Sequence, residues 1–278
     1  MIKKKIEGFP MWLDLKDGGI SKRLYIKGGR EFAFMWILRK EASGIAMDIG
    51  ANIGYCTLSL AKVCDVVLAI EPDERSFKIL EKNIKLNKLE DKVVTTRFAI
   101  TDKEGTFRFS EEKKPNLSRL DPNGKKLVLT DSIDNYVEEE IPDFIKMDIE
   151  GGEVNALKGA MKTLKEAKEM KILIEVHPIF YNKDNDFRKV LEDILALGYK
   201  FKYVINAKGK IDKFKKYKCV KRFKQYKHRA VFKGVPKEKV LKWATTMPKD
   251  GKKVVRSFLL EKISEEKING QQRHTGKN

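Results

Sequence analysis

Apolar residues in this chain fall into two alternating patterns. Short runs such as Ile45-Ala46-Met47-Asp48-Ile49, Val66-Val67-Leu68-Ala69-Ile70, Phe144-Ile145-Lys146-Met147 and Ile172-Leu173-Ile174-Glu175-Val176 are bounded by turn residues. They read as strands buried on both faces. Between them run longer stretches with apolar positions three and four apart, the helical period. The pattern predicts strands over 45–49, 66–71, 93–100, 144–149 and 172–176, with later ones near 200–205 and 228–233. Helices are expected over 53–63, from an Asp73 cap to about Asn87, and over 153–168, 184–197 and 237–244. A further helix is expected near 252–267, where Val254, Val255, Phe258, Leu259 and Ile263 recur at helical spacing. Residues 30–40, with Phe32, Phe34, Trp36 and Leu38, predict a helix in an N-terminal lead-in, and residues 110–126 read as loop.

This alternation predicts an α/β fold, a mostly parallel sheet with helices on both faces. The expected organisation is a lead-in over 1–44, a main domain over 45–235, and a basic helical extension over 236–278 whose tail from Asn269 is polar and disordered. In such sheets ligands bind beyond the carboxyl ends of the strands. Nearly every polar residue within or just after an apolar strand falls at that edge: Asp48 and Gly50, Glu71, Ala99 and Asp102, Asp148 and Glu150, Glu175 and His177.

The first of these strands runs into Asp48-Ile49-Gly50-Ala51-Asn52-Ile53-Gly54-Tyr55, a strand–loop–helix entrance to a nucleotide-type site. Glu71 lies about twenty residues past Gly50, where a carboxylate can meet ribose hydroxyls. A dinucleotide loop carries two glycines one residue apart so that backbone can touch pyrophosphate. Here Asn52 stands at the second glycine position and an acid precedes the loop. That acid would oppose a pyrophosphate and favour a sulfonium and an ammonium, the two cations of S-adenosylmethionine.

These residues carry a resemblance. The segments MDIGANIGYCTLSLAK (47–62), AIEPDERSFKILEKNIKLN (69–87), FAITDKEG (98–105), FIKMDIEGGEVNALKGA (144–160) and ILIEVHP (172–178) resemble the FkbM family of S-adenosylmethionine-dependent methyltransferases, over roughly residues 25–200. The KMDIEGGE run is the most family-specific part. The resemblance implies a seven-stranded, Rossmann-like methyltransferase sheet whose last strand is antiparallel. It also implies methyl transfer to a hydroxyl, often on a sugar. The expected cofactor set is Glu31, Asp48, Gly50, Asn52, Gly54 and Tyr55 toward the methionine end, Glu71 at the ribose, and Pro72 with Ala99, whose backbone faces the adenine by resemblance; Asp148 completes it beside the methyl position. Asn116 and Ser118 lie in a loop where the family places polar residues.

A hydroxyl is a poor nucleophile until it loses its proton, so a general base or a metal is expected. Asp148 and Glu150 share a side if the extended geometry continues, as do Glu175 and His177. Asp148, His177 and Glu150 are the catalytic candidates. Glu153 suits a helix first turn, and Glu175 suits a structural partner equally well. Asp148, Glu150 or His177 could hold a divalent cation, which the carboxylates suit, but no spacing demands one and it is not predicted.

Composition adds one feature. The net charge of +19 is concentrated at one end: residues 201–278 hold 24 Lys and Arg against 6 Asp and Glu, while residues 1–200 hold 35 against 34. Residues 206–227 alone hold ten basic residues and one acid, interleaved with Phe214, Tyr217, Phe223 and Tyr226. Such a segment suits a polyanionic acceptor, whether glycan, glycolipid or RNA. Methylation of RNA through this basic region is therefore the second reading. Three widely spaced cysteines make neither a disulfide framework nor a zinc pattern. With no signal-peptide pattern and no apolar run near the roughly eighteen residues of a membrane span, a cytoplasmic protein is expected.

Overall fold

The lead-in begins with a hairpin rather than a helix. Strand β1 (Ile2–Ile6) pairs antiparallel with β2 (Phe9–Leu13) across Glu7-Gly8, both at positive φ. Helices α1 (Ile20–Lys27) and α2 (Phe32–Glu41) follow. The computed structural model describes residues 1–137, 140–206, 214–223, 229–247 and 254–264.

From here the expected alternation is present. β3 (Ile45–Ile49) leads through a glycine loop to α3 (Tyr55–Ala61); β4 (Val66–Ile70) leads to α4 (Glu74–Leu86), capped by the Asp73 carboxylate on the Ser76 amide. The strand expected over 93–100 divides. β5 (Val93–Thr96) stays in the main sheet, and β6 (Ala99–Thr101) enters a second, four-stranded sheet with β7 (Gly105–Ser110), β8 (Arg119–Leu120) and β9 (Lys126–Ser132). The loop expected over 110–126 thus contributes β8. After the short α5 (Ile133–Tyr136) comes β10 (Phe144–Met147). The helix expected over 153–168 is two, α6 (Glu153–Lys158) and α7 (Met161–Glu166), with Gly159 between them. Gly159 is required there, because a Cβ would lie 2.2 Å from the Thr101 carbonyl oxygen. β11 (Met170–Val176), α8 (Phe187–Ala196), β12 (Lys200–Ile205), β13 (Lys218–Phe223), β14 (Arg229–Lys233), α9 (Lys237–Thr245) and β15 (Arg256–Lys262) complete the chain.

The main sheet has nine strands in the order β13-β14-β12-β15-β11-β10-β3-β4-β5. The five strands from β11 to β5 are parallel; β15 is antiparallel to both its neighbours. The fold is therefore mixed α/β with a parallel-rich sheet. Two strands exceed the expected seven, because β13 and β14 extend the edge beyond β12.

The helix expected over 252–267 is overturned. Arg256–Lys262 is a strand inserted between β11 and β12, and Phe258, Leu259 and Leu260 are fully buried. Phe258 and Leu260 enter the apolar layer on one face of the sheet, Leu259 the layer on the other. A strand buried on both faces is apolar at consecutive positions and shows no period of two, so its sequence does not separate it from a buried helix. The main sheet is thus completed by residues from the basic extension. The polar tail from Asn269 lies outside the described residues.

Among the described residues, no helix is long and apolar enough to cross a membrane. Because Phe258 packs centrally against Phe187 and Phe201, Phe258→Ala is expected to destabilise the whole protein by about 3–5 kcal/mol. Leu129→Ala on exposed β9 should cost within about 0.5 kcal/mol. Urea denaturation of the two variants checks the contrast.

Candidate active site

The strand order reverses between β3 and β10: chain-order neighbours of β3 lie on one side, and β10 and β11 on the other. Such a switch point leaves a crevice where the loops after the two strands part. A cavity of about 930 Å³ opens there, lined by residues of both loops, of β4, and of the small sheet.

The crossing of the two loops begins with a buried ion pair. Lys146 and Asp48 are register partners on β10 and β3, and both are buried. The Lys146 ammonium is ion-paired with Asp48 Oδ1 at 2.9 Å and donates to the Gly50 carbonyl (2.8 Å) and the Ile49 carbonyl (3.2 Å). Burial works against its charge, but the Asp48 carboxylate outweighs it and holds Lys146 above the ordinary lysine range. Thr57 donates its hydroxyl to the other Asp48 oxygen at 2.7 Å. Asp48 is therefore spent inside the sheet and does not line the cavity. The expectation that it meets the cofactor's methionine end is corrected: Lys146, in the adjacent strand, claims it. Lys146 itself went unnoticed in the sequence. A lysine inside Phe144-Ile145-Lys146-Met147 needs a buried counter-charge, and that was the available signal.

Gly50 stands at φ 77° where the loops touch. A Cβ there would lie 2.1 Å from the Asp148 carbonyl oxygen, so only glycine lets the two loops approach. Asn52 is also left-handed, at φ 51°, and its side-chain oxygen accepts from the Ile53 amide at 2.9 Å. Glu71 ties this loop to the end of β4. One carboxylate oxygen accepts from the Asn52 amide and the other from the Asp73 amide, each at 2.8 Å. Burial pushes Glu71 up to about 7 against the lowering effect of these donors. Gly54 caps α3 beneath Leu80 and does not line the cavity.

Of the expected cofactor set, Glu31, Gly50, Asn52, Tyr55, Glu71, Pro72, Ala99 and Asp148 line the one cavity. Glu31 sits at φ 50° at the start of α2, paired with Arg30. Tyr55 shows its ring to the cavity while its hydroxyl lies 2.7 Å from Glu7 and receives the Arg30 amide. Asn116 and Ser118 also line it. Asp102 does not. Arg30, Phe98, Ile100 and Arg119 are lining residues that sequence reasoning missed. Arg119 lies over the Phe180 ring at 5.2 Å.

The catalytic candidates divide. Asp148 and Glu150 line the cavity; His177 is fully buried behind them. Its Nδ1 lies 2.7 Å from Glu153 Oε1, and Glu153 also accepts from the Gly151 amide (3.0 Å) and the Tyr181 hydroxyl (3.0 Å). Glu153 is thus more than a helix cap. Burial opposes charge on His177, but Glu153, with Asp148 and Glu150, pushes it up to about 10. Burial and the Asp148 carboxylate push Glu175 upward. Glu150, at φ 50°, and Gly151, whose Cβ would lie 2.6 Å from the Phe180 ring, make the turn that presents these acids.

The basic segment differs from its expectation. Phe214 is fully buried against Phe232 and Trp243, and Tyr217 and Phe223 pack on the two apolar layers. These rings are structural and offer no stacking platform. Tyr226 lies outside the described residues, as do 207–213.

A family model described as "Methyltransferase FkbM domain" matches residues 48–201. The hexuronic acid methyltransferase AglP of Haloferax volcanii is 25% identical over 209 residues, which is 63% of this chain and 83% of that protein. Among solved structures, the methyltransferase FkbM from Methylobacillus flagellatus aligns with TM-score 0.44 and 23% identity, covering 59% of this chain and 40% of that one. The Methanocaldococcus jannaschii tRNA m1G37 methyltransferase aligns with TM-score 0.45 and 15% identity, covering 95% and 56%. This chain belongs to the FkbM methyltransferase family and is an S-adenosylmethionine-dependent methyltransferase.

Lys146→Met leaves Asp48 buried and unpaired, and is expected to cost about 3–5 kcal/mol in urea unfolding. Adding Asp48→Asn should recover a large part of that loss. No recovery would mean that the carbonyl contacts, not the charge pair, carry it.

Proposed function

We propose that this enzyme methylates a hydroxyl of a saccharide-type acceptor that carries negative charge. The observation that carries the reading is the meeting of two chemistries in one cavity: a ribose-type carboxylate and glycine loop at Glu71 and Gly50, and the acids Asp148 and Glu150 across from them. When bound, S-adenosylmethionine supplies a methyl group on a positively charged sulfur. The donor set suits it. Glu31, Glu71, Asp148 and Glu150 give the cavity carboxylates for cations and hydroxyls, and such acids would oppose a pyrophosphate.

In this reading Glu71 accepts from the ribose hydroxyls while its backbone donors hold it still. Gly50, Asn52, Tyr55 and Glu31 border the methionyl end, and Pro72, Phe98, Ala99 and Ile100 flank the adenine. Asp148 and Glu150 face the acceptor, orient its hydroxyl and take up its proton; holding reactants in line supplies much of the rate. His177 does not touch the acceptor. With Glu153 and Tyr181 it positions the acids. Arg119 lies at the cavity wall with its guanidinium already paired to Asp121 (3.0 Å) and Glu112 (3.7 Å). The similarity to a hexuronic acid methyltransferase supports an acceptor of that class. The charge excess of residues 201–278 supports a polyanion more generally, but the burial of Phe214 and Tyr217 weighs against unstacked bases.

Transfer of labelled methyl to a panel of uronic-acid saccharides, neutral saccharides and RNA tests the acceptor. Label is expected on the acidic saccharides, and label on RNA alone would overturn the reading. Glu71→Gln should weaken S-adenosylhomocysteine binding by about 1.5–3 kcal/mol, the value of hydrogen bonds to a charged group. Glu71 is pushed up to about 7, so its acceptor form is lost as pH falls through that value. Calorimetry should show wild-type affinity declining from about pH 8 to about pH 6, and Glu71→Gln losing that slope.

A further inference from the structure

His177 is fully buried, and its Nε2 has no hydrogen-bond partner. An unpaired polar atom at such a site is unfavourable unless something binds it. The atom faces a ring of acids: Glu150 Oε2 at 3.6 Å, Asp148 Oδ1 at 3.9 Å and Glu175 Oε1 at 4.0 Å. These separations are too long for hydrogen bonds but suit a shared ion.

We infer that Asp148, Glu175 and His177 form a binding site for a divalent cation in the cavity wall, with Glu150 beside it. One ligand atom from each of the three lies within 4.8 Å of the others. A cation about 2.1 Å from each ligand holds them roughly 3–4 Å apart, so modest side-chain movement closes the site. The histidine is prepared for the role. Its Nδ1 lies 2.7 Å from Glu153 Oε1, which holds the ring with Nε2 toward the acids, and a cation bound there displaces the Nε2 proton. Glu153 is itself fixed by the Gly151 amide and the Tyr181 hydroxyl. Glu175 is oriented from the other side, since Ser257 on β15 donates to its Oε2 at 3.3 Å and leaves Oε1 toward the histidine. Each of the three proposed ligands thus sits in a supporting shell or a constrained turn.

Charge points the same way. Asp148, Glu150, Glu153 and Glu175 converge around one imidazole; Lys146 is committed to Asp48, and Arg30 and Arg229 offset only part of the negative charge at Glu175. One nitrogen with carboxylate oxygens suits Mn²⁺, Mg²⁺ or Zn²⁺ rather than a thiolate-selecting metal. On the reading of function above, the cation holds the acceptor hydroxyl beside Asp148 and lowers its pKa, and the proton passes to the Glu150 carboxylate.

The test uses the full chain stripped with EDTA and titrated with Mn²⁺, followed by loss of the free-ion paramagnetic resonance signal. Saturable binding at one ion per chain is expected. Asp148→Asn and Glu175→Gln should each weaken it tenfold or more, and Glu153→Gln by about 10–100-fold through the histidine. Glu192→Gln, at a half-exposed position of α8 away from the cavity, should change nothing. Asp148 is partly exposed, so its variant is expected to fold, which circular dichroism checks. Absence of saturable binding, or equal binding by Asp148→Asn and wild type, overturns the site. The same stripped protein is titrated with S-adenosylhomocysteine. Binding of that ligand without Mn²⁺ binding sinks the metal site and leaves the methyltransferase reading intact. Mn²⁺ binding with no labelled methyl on any saccharide sinks the acceptor reading alone.

Discussion

The arrangement of the cavity depends on one ammonium group. Lys146 lies in the interior of β10 with its three N–H bonds directed at Asp48 and at the carbonyls of Ile49 and Gly50. A lysine buried this deeply is tolerated only when paired and fully hydrogen-bonded. The pairing therefore couples β10 to β3 at the place where the strand order reverses. It also fixes the carbonyl of the residue that begins the glycine loop. The loop path sets the Asn52 amide, and that amide is one of the two donors that hold Glu71. One buried charge pair thus links the strand register to the carboxylate expected at the ribose.

The acids of the site are held by different means, and this separates their behaviour. Glu71 is buried with two backbone donors, which keep it ordered without supplying a counter-charge. Asp148 and Glu150 follow β10 in a turn strained by a left-handed Glu150. Behind them, His177 gathers carboxylates from two neighbouring strand ends and from the start of α6. A concentration of like charge in a buried wall is costly unless a proton or a cation offsets it.

The basic C-terminal third reaches this acidic wall at one described point, since the Arg229 charge acts on Glu175. The described aromatic residues of the basic segment, Phe214, Tyr217 and Phe223, pack on the apolar layers, and Phe214 joins Phe232 and Trp243 in the core. The described lysines of this segment remain outward around them. A solvated basic face attracts polyanions over distances near the Debye length. It does not by itself read bases.

The alternation of apolar runs and helical periods was enough to identify the α/β class and the edge on which chemistry gathers; with the family resemblance it named eleven of the twenty-six residues lining the cavity. Those signals are local: a strand end, a glycine, an acid two positions on. Three features were not legible, each because it depends on what another segment brings alongside. Asp48 reads as a cofactor residue until β10 delivers Lys146 to the adjacent register position. Arg256–Lys262 reads as a helix, since burial on both faces between β11 and β12 removes the period of two. The single strand expected over 93–100 breaks because Ala99 pairs with β9 in a second sheet. Local sequence determined the fold class and the chemical inventory of the site. Tertiary pairing alone decided which acid faces the cavity, which is neutralised within the sheet, and which strand completes the core, because burial and partner charge belong to neighbours distant in the chain.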